Sequence, residues 1–165
     1  MGRRAGVVAT VSGPDKAELA RRAGADLVVN YRSEDAAAEI RGYAPRGVDI
    51  IVELAPSANA ALDRAVTAPA ATIAVYATEA SGDLTVPVRP MMGANARYQF
   101  VLVYTVPELA KAQAVADVSA AVSDGAMPVG EDAGLPLHRF PLAQTAAAHQ
   151  AVEDSVVGKV VIDVG

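Results

Sequence analysis

Short runs of β-branched and apolar residues alternate with helix-like stretches along almost the whole chain, and layered α/β architectures are the ones that accommodate that rhythm. Residues 7–11 (VVATV) form such a run and stop at Ser12-Gly13-Pro14, the pattern of a buried strand entering a turn. Pro14 suits the first turn of a helix that carries Lys16 and ends near Gly24, where glycine can take the left-handed conformation of a C-terminal cap. Leu27-Val28-Val29 reads as a second strand. Ser33 is placed to cap a helix over residues 34–43, which Pro45 and Gly47 end. Residues 48–52 form a third strand. Ser57 or Asn59 then opens a helix containing Leu62 and Val66 and closed by Pro69, and residues 72–76 form a fourth strand.

Residues 79–96 are richer in Gly, Pro and polar side chains and read as an irregular loop. Phe100, Val101, Leu102, Val103 and Tyr104 make a fifth strand. Pro107 starts the longest helix, ended by Asp124-Gly125, with Leu109, Val115, Val118 and Val122 assigned to one apolar stripe. A short strand at 137–140, a helix over 142–152 and a last strand at 160–162 complete the pattern. Alternation at this pitch predicts a doubly wound parallel sheet with helices on both faces, one α/β domain across all 165 residues without internal repeat or linker.

Composition narrows the classes of function. A net charge of −5 argues against nucleic acid or an anionic membrane surface as a partner. No apolar stretch approaches the length of a membrane span and no signal-peptide run opens the chain, so the expected location is cytoplasmic. The absence of cysteine removes disulfides, thiolate chemistry and Cys-ligated zinc. His138 and His149, the only imidazoles, fall in different expected elements, so no metal site is assigned.

Open parallel sheets bind ligands at the carboxyl ends of their strands. The positions there are Ser12-Gly13, Asn30-Tyr31-Arg32, Glu53-Leu54-Ala55, Ala77-Thr78 and Tyr104-Thr105, which converge on one rim if the sheet is doubly wound. After the first strand a domain for NAD calls for an acidic residue to hold the ribose hydroxyls, and this chain offers Ser12, Gly13 and Lys16 instead. A hydroxyl, free amides at a helix N-terminus and an ammonium group suit a phosphate dianion, which points to the 2′-phosphate of NADP. On these residues alone a Ser12 cap with a solvated Lys16 is the preferred reading. Tyr31 and Arg32 either close over the same phosphate or are a rim tyrosine and an exposed arginine. No G-x-G-x-x-G turn is present to hold a pyrophosphate. Glu53 could face the cleft, although a lone carboxylate at a strand end is more often a cap or an ion-pair partner. His138 in an edge strand is usually structural, and Ser57 lacks His–Asp company. No catalytic residue is assigned.

Residues 8–16 (VATVSGPDK), 22–26 (RAGAD), 29–35 (VNYRSED), 47–53 (GVDIIVE), 149–153 (HQAVE) and 158–162 (GKVVI) carry a resemblance. In order and wording they resemble the medium-chain dehydrogenase/reductase superfamily, in its quinone oxidoreductase (zeta-crystallin-like) branch. The resemblance implies that residues 7–12 are the second strand of a Rossmann-like domain and that Ser12, Lys16 and Tyr31 match positions binding the NADP 2′-phosphate. With the rim positions Arg32, Ala55, Ala77 and Thr78, these are the candidate cofactor-binding residues. It further implies that residues 100–104 pair across a homodimer, that the preceding loop lies near the nicotinamide, and that no zinc is needed.

Set beside that family, the chain resembles the C-terminal half. The substrate domain, the first Rossmann strand, its glycine loop and the following helix have no counterpart, and only residues 2–6 correspond to the frayed end of that helix. Asp154-Ser155 stand where some members have a basic residue, and Pro69-Ala70-Ala71 replaces the usual paired glycines. The expected fold is therefore a truncated Rossmann-like sheet lacking its first strand. The edges left free would pair with each other, pair with another subunit, or pair poorly. The implied activity is NADPH-dependent hydride transfer to a conjugated carbonyl of a quinone or enone, weak or absent in so short a chain. Two other classes remain open: a non-catalytic module docking onto a separate chain, and a fold recruited to another biosynthetic reaction.

Overall fold

The computed structural model describes residues 5–78, 82–128 and 130–165, the side chain of Asp132 excepted. Gly2, Arg3 and Arg4 of the stretch read as a frayed helix end, and positions 79–81 of the expected loop, lie outside the described residues. The elements in order are β1 (Val8–Val11), α1 (Pro14–Arg22), β2 (Leu27–Asn30), α2 (Ala36–Tyr43), β3 (Val48–Glu53), α3 (Pro56–Val66) and β4 (Thr67–Val75). They continue with α4 (Val88–Ala94), β5 (Arg97–Phe100), α5 (Glu108–Ser123), β6 (Leu137–Pro141), α6 (Thr145–Glu153) and β7 (Lys159–Asp163). Every strand pairing among the described residues is parallel, as the alternation requires, but the ladders are three, β1–β2, β3–β4–β5 and β6–β7, where one continuous sheet was expected. The chain forms two compact units, one of residues up to 32 with those from 115 onward, the other of residues 33–114.

In the first unit β1 and β2 run in register from Val8 opposite Leu27 to Val11 opposite Asn30. Val11, Val29 and Ala17 of α1 are buried, so the helix covers the strands through small side chains. Gly24 ends α1 at φ +96°, its amide bonded to the Arg21 carbonyl at 3.0 Å, which is the left-handed stop read from the sequence. In the same unit β6 and β7 pair under α6, which buries Ala148.

The core of the second unit is Ile73 and Val75 of β4 with Met91 of α4, packed against Ile51, Val86, Ala96 and Tyr98. Its helices start on different residues from those expected. Asp35, rather than Ser33, caps α2, accepting the Ala38 amide at 3.1 Å. Helix α3 begins at Pro56 with no side-chain cap, and the Ser57 hydroxyl bonds instead to the Asp83 carbonyl. Pro69 does not close α3, because β4 already starts at Thr67. The ladder steps from Val48 to Ile50 on β3 while it steps from Thr67 to Thr72 on β4, a bulge that absorbs Pro69 off the ladder.

Three further expectations are corrected. The stretch 79–96 contains the helix α4, which Asn95 ends in the left-handed region at φ +49°. The fifth strand is Arg97–Phe100, one residue of the expected 100–104, and Val103–Thr105 turn into a 3-10 helix. The apolar run at 100–104 suggested a strand, whereas the chain pairs the half-polar segment before it and leaves the run exposed. In α5 no residue is buried, and Leu109, Val115, Val118 and Val122 are all exposed. At about 100° per residue Leu109 sits roughly 120° around the helix from Val115, so the four never shared one stripe.

Two backbone positions make the bulge testable. A Cβ on Gly47, at φ +90°, would lie 2.6 Å from the Val66 carbonyl oxygen and 2.7 Å from the Ala68 nitrogen. Ala70 sits at φ +63°. Gly47→Ala should cost about 2–4 kcal/mol in urea unfolding. Ala70→Gly should add about 0.5–1 kcal/mol, relief of left-handed strain exceeding the entropy of glycine. A neutral Gly47→Ala, or a destabilising Ala70→Gly, would contradict this account of the bulge.

Candidate functional site

In the first unit, the register that sets Val11 opposite Asn30 brings the carboxyl ends of β1 and β2 side by side. The Tyr31 amide continues the ladder to the Val11 carbonyl at 3.1 Å. Ser12, directly after β1, and Tyr31 and Arg32, directly after β2, therefore share one rim. The Arg32 amide bonds the Asn30 side chain at 3.1 Å, a local turn that carries the chain off the strand. Helix α1 enters the same rim. Its N-cap is Gly13 and no side chain caps it, so Ser12 is not the cap that the alternative reading made it. Lys16 lies in the first turn and is exposed, as are Tyr31 and Arg32. Asp15 places an opposing charge in the same turn. An uncapped helix start with a lysine, an arginine and two hydroxyl side chains nearby is a fit for a phosphate dianion.

The second unit forms a rim of its own. Ala55 follows β3, and Ala77 and Thr78 follow β4, whose ladder is prolonged by the Tyr76 amide bonding to the Glu53 carbonyl at 3.1 Å. The seven candidate positions thus fall into two groups, one in each unit. Tyr104-Thr105 do not belong to a strand end, because β5 stops at Phe100. Residues Gln99 to Leu102 and Thr105 to Pro107 instead line an open, largely apolar hollow of about 430 Å³.

Glu53 is not a base facing a cleft. It is 4% exposed, and its Oε1 accepts the amides of Leu54, at 2.7 Å, and of Ala55. The Asn59 side-chain amide adds bonds to Oε1 and Oε2 at 3.0 and 3.1 Å. The carboxylate thus ties the end of β3 to the first turn of α3, the capping role held open for it. One helical turn further along α3, Asp63 is 2% exposed and its Oδ2 has no partner. Burial first, then the charge of Glu53 and a side-chain hydrogen bond with it, raise the Asp63 carboxyl to about 7. The Tyr98 hydroxyl is also buried without a partner and is pushed up by burial and then by Asp63 and Glu53. Sequence reasoning singled out Glu53 and missed Asp63 and Tyr98. The available signal was that Asp63 falls on the buried stripe of α3 between Pro56 and Val66.

His138 is a structural residue: its Nε2 lies 3.0 Å from the Val157 carbonyl. His149 is exposed beside a hollow of about 170 Å³ lined by Ala148, Val152, Val160 and Ile162.

Parallel α/β ladders with ligand-competent strand ends define the Rossmann-like class of nucleotide-binding folds. The chain belongs to the zinc-binding dehydrogenase family, whose model matches residues 1–120. Solved structures agree. A candidate alcohol dehydrogenase from Sinorhizobium meliloti 1021 is 26% identical with a TM-score of 0.77, over 96% of this chain and 44% of that one. A mycobacterial protein complexed with NADPH is 26% identical with a TM-score of 0.75, over 95% and 48%. A quinone oxidoreductase from Pseudomonas syringae pv. tomato DC3000 shares the fold at 18% identity and a TM-score of 0.71, over 95% and 48%. The chain spans less than half the length of these structures. None of the curated proteins compared with it matches. The residues present do not fit the metal of the family's name: there is no cysteine, and no three His, Asp or Glu side chains gather among the described residues. No helix among the described residues is long and apolar enough to cross a membrane.

The Glu53 network predicts that Asn59→Ala lowers stability by about 1.5–3 kcal/mol, the range for a hydrogen bond to a charged group. Urea unfolding checks it, and a loss below about 0.5 kcal/mol would mean that Asn59 does not hold Glu53.

Proposed function

We propose that this chain is the nucleotide-recognising part of an NADPH-dependent quinone or enone reductase. The observation that carries the reading is the first-unit rim, where the ends of β1 and β2, with Ser12, Tyr31 and Arg32, adjoin the uncapped start of α1 that carries Lys16. NADPH differs from NADH by its 2′-phosphate alone, and a lysine, an arginine and two hydroxyls answer that difference, with Asp15 of the same turn opposing them. The NADPH complex of the mycobacterial relative supports a nicotinamide cofactor. The cofactor, when bound, supplies a hydride from nicotinamide C4 to the conjugated carbonyl compound. The residues of this chain bind and select. None of the acid–base groups considered opens on the rim, since Glu53 is tied to backbone amides and His138 to a carbonyl. Turnover by this chain alone is therefore expected to be weak.

A second reading, docking onto another polypeptide, is favoured by β3. Ile50 and Val52 are 70% and 66% exposed on a parallel strand, a setting in which both faces are normally covered. A homodimer through β5 and the exposed residues 100–104 is one form of it.

Calorimetric titration tests the leading reading. NADPH should bind more tightly than NADH, and Lys16→Ala should weaken NADPH by roughly tenfold, about 1.5 kcal/mol for an exposed charge-assisted contact, while leaving NADH unchanged. Equal affinity for the two cofactors, or no heat with millimolar NADPH, would remove it. Light scattering that shows only monomer at high concentration would count against the docking reading.

A further inference from the structure

We propose that Glu53 and Asp63 hold one proton between them, and that this proton makes the unit of residues 33–114 a pH-sensitive element whose folding weakens from acid to neutral pH. Both carboxyls are buried, at 4% and 2% exposure. Glu53 is the acceptor of the pair, because two backbone amides and the Asn59 amide donate to it. Asp63 beside it keeps Oδ2 unpartnered. A second negative charge there would meet burial and a like charge together, with no donor to offset them.

Among the described residues, the surrounding elements supply no cation. From β3 the groups are Glu53 itself and the exposed Asp49, and from α3 they are Asn59 and the exposed Arg64. From β4 only the Thr67 hydroxyl approaches, and it bonds the Asp63 carbonyl at 2.5 Å. From β5 comes Tyr98, whose hydroxyl is itself without a partner, and the exposed Arg97. Arg41 of α2 is used up on the carbonyls of Ala65, Pro45 and Thr67 at 2.7, 3.3 and 3.3 Å. Helix α4 presents Met91 to the core and leaves Arg89 exposed. Among the ion pairs of the described residues, none involves Glu53 or Asp63.

The direction follows from linkage. The folded-state carboxyl titrates near 7, above the ordinary 3.8. The native state therefore holds a proton that the unfolded chain releases. The resulting stabilisation is complete below pH about 4 and is lost as pH rises through about 7. The loop whose amides Glu53 holds carries Ala55, so this proton sits directly behind the second unit's rim.

The test is the folding equilibrium of the full chain from urea titrations between pH 5 and 7.5, alongside Asp63→Asn, which keeps the shape and removes the charge. The wild-type constant should fall at least about tenfold over that interval, and the D63N variant should lose most of that slope and be the more stable protein at pH 7.5. Carbon NMR of the Asp63 carboxyl in the wild type decides the matter without any variant. A midpoint well above the usual aspartate range supports the shared proton. A midpoint near 4, or an identical pH slope in wild type and variant, overturns it.

Discussion

Strand β4 is flanked by a parallel neighbour on each side, and among the described residues no other strand is. A strand between two neighbours satisfies its amides and carbonyls within the sheet, whereas a strand with one neighbour leaves a row of them to water or to another chain. Within the second unit burial follows the same division. Ile73 and Ala71 of β4 are almost completely enclosed, while β3, paired on one side only, leaves Ile50 and Val52 open. The second unit is organised outward from β4: α4 lies over Ile73 and Val75, β5 brings Tyr98 to Ile73, and β3 brings Glu53 level with Val75.

The same constraint explains which parts of the fold were legible in the sequence. Strands β1, β2, β3 and β7 are short runs rich in β-branched residues and stopped by turn residues, and local chemistry marks them whatever their neighbours do. The fifth strand was misplaced because hydrophobicity favours residues 100–104, whereas the ladder with β4 selects Arg97–Phe100, which alternates polar and apolar. Helix α4 was missed within a stretch rich in proline and glycine, and α5 was given an apolar stripe that helical geometry does not allow. The bulge at Pro69 depends on how β4 meets β3, so no window of sequence contains it.

The site divides in the same way. Ser12, Lys16, Tyr31 and Arg32 could be named in advance because a strand end followed by a helix start is a local pattern, and the register of β1 and β2 sets those residues side by side. The capping role of Glu53 was one of the options at a strand end. Its coupling to Asp63 and Tyr98 was out of reach, because those residues come from α3 and β5 and meet only through tertiary packing. One rim carries the exposed Lys16 and Arg32 beside Asp15, and the buried acidic pair belongs to the scaffold of the other unit.

Family membership establishes the ancestry of the fold, and nucleotide selection at the first rim is the claim on which the functional account turns. Amide NMR of the labelled chain, titrated with adenosine 2′-monophosphate and, separately, adenosine 5′-monophosphate, tests it most directly. The account predicts saturable shifts centred on Ser12, Gly13, Lys16, Tyr31 and Arg32 with the 2′-phosphate and much smaller ones with the 5′-phosphate. Equal responses to both, or none at these residues at millimolar ligand, would contradict it.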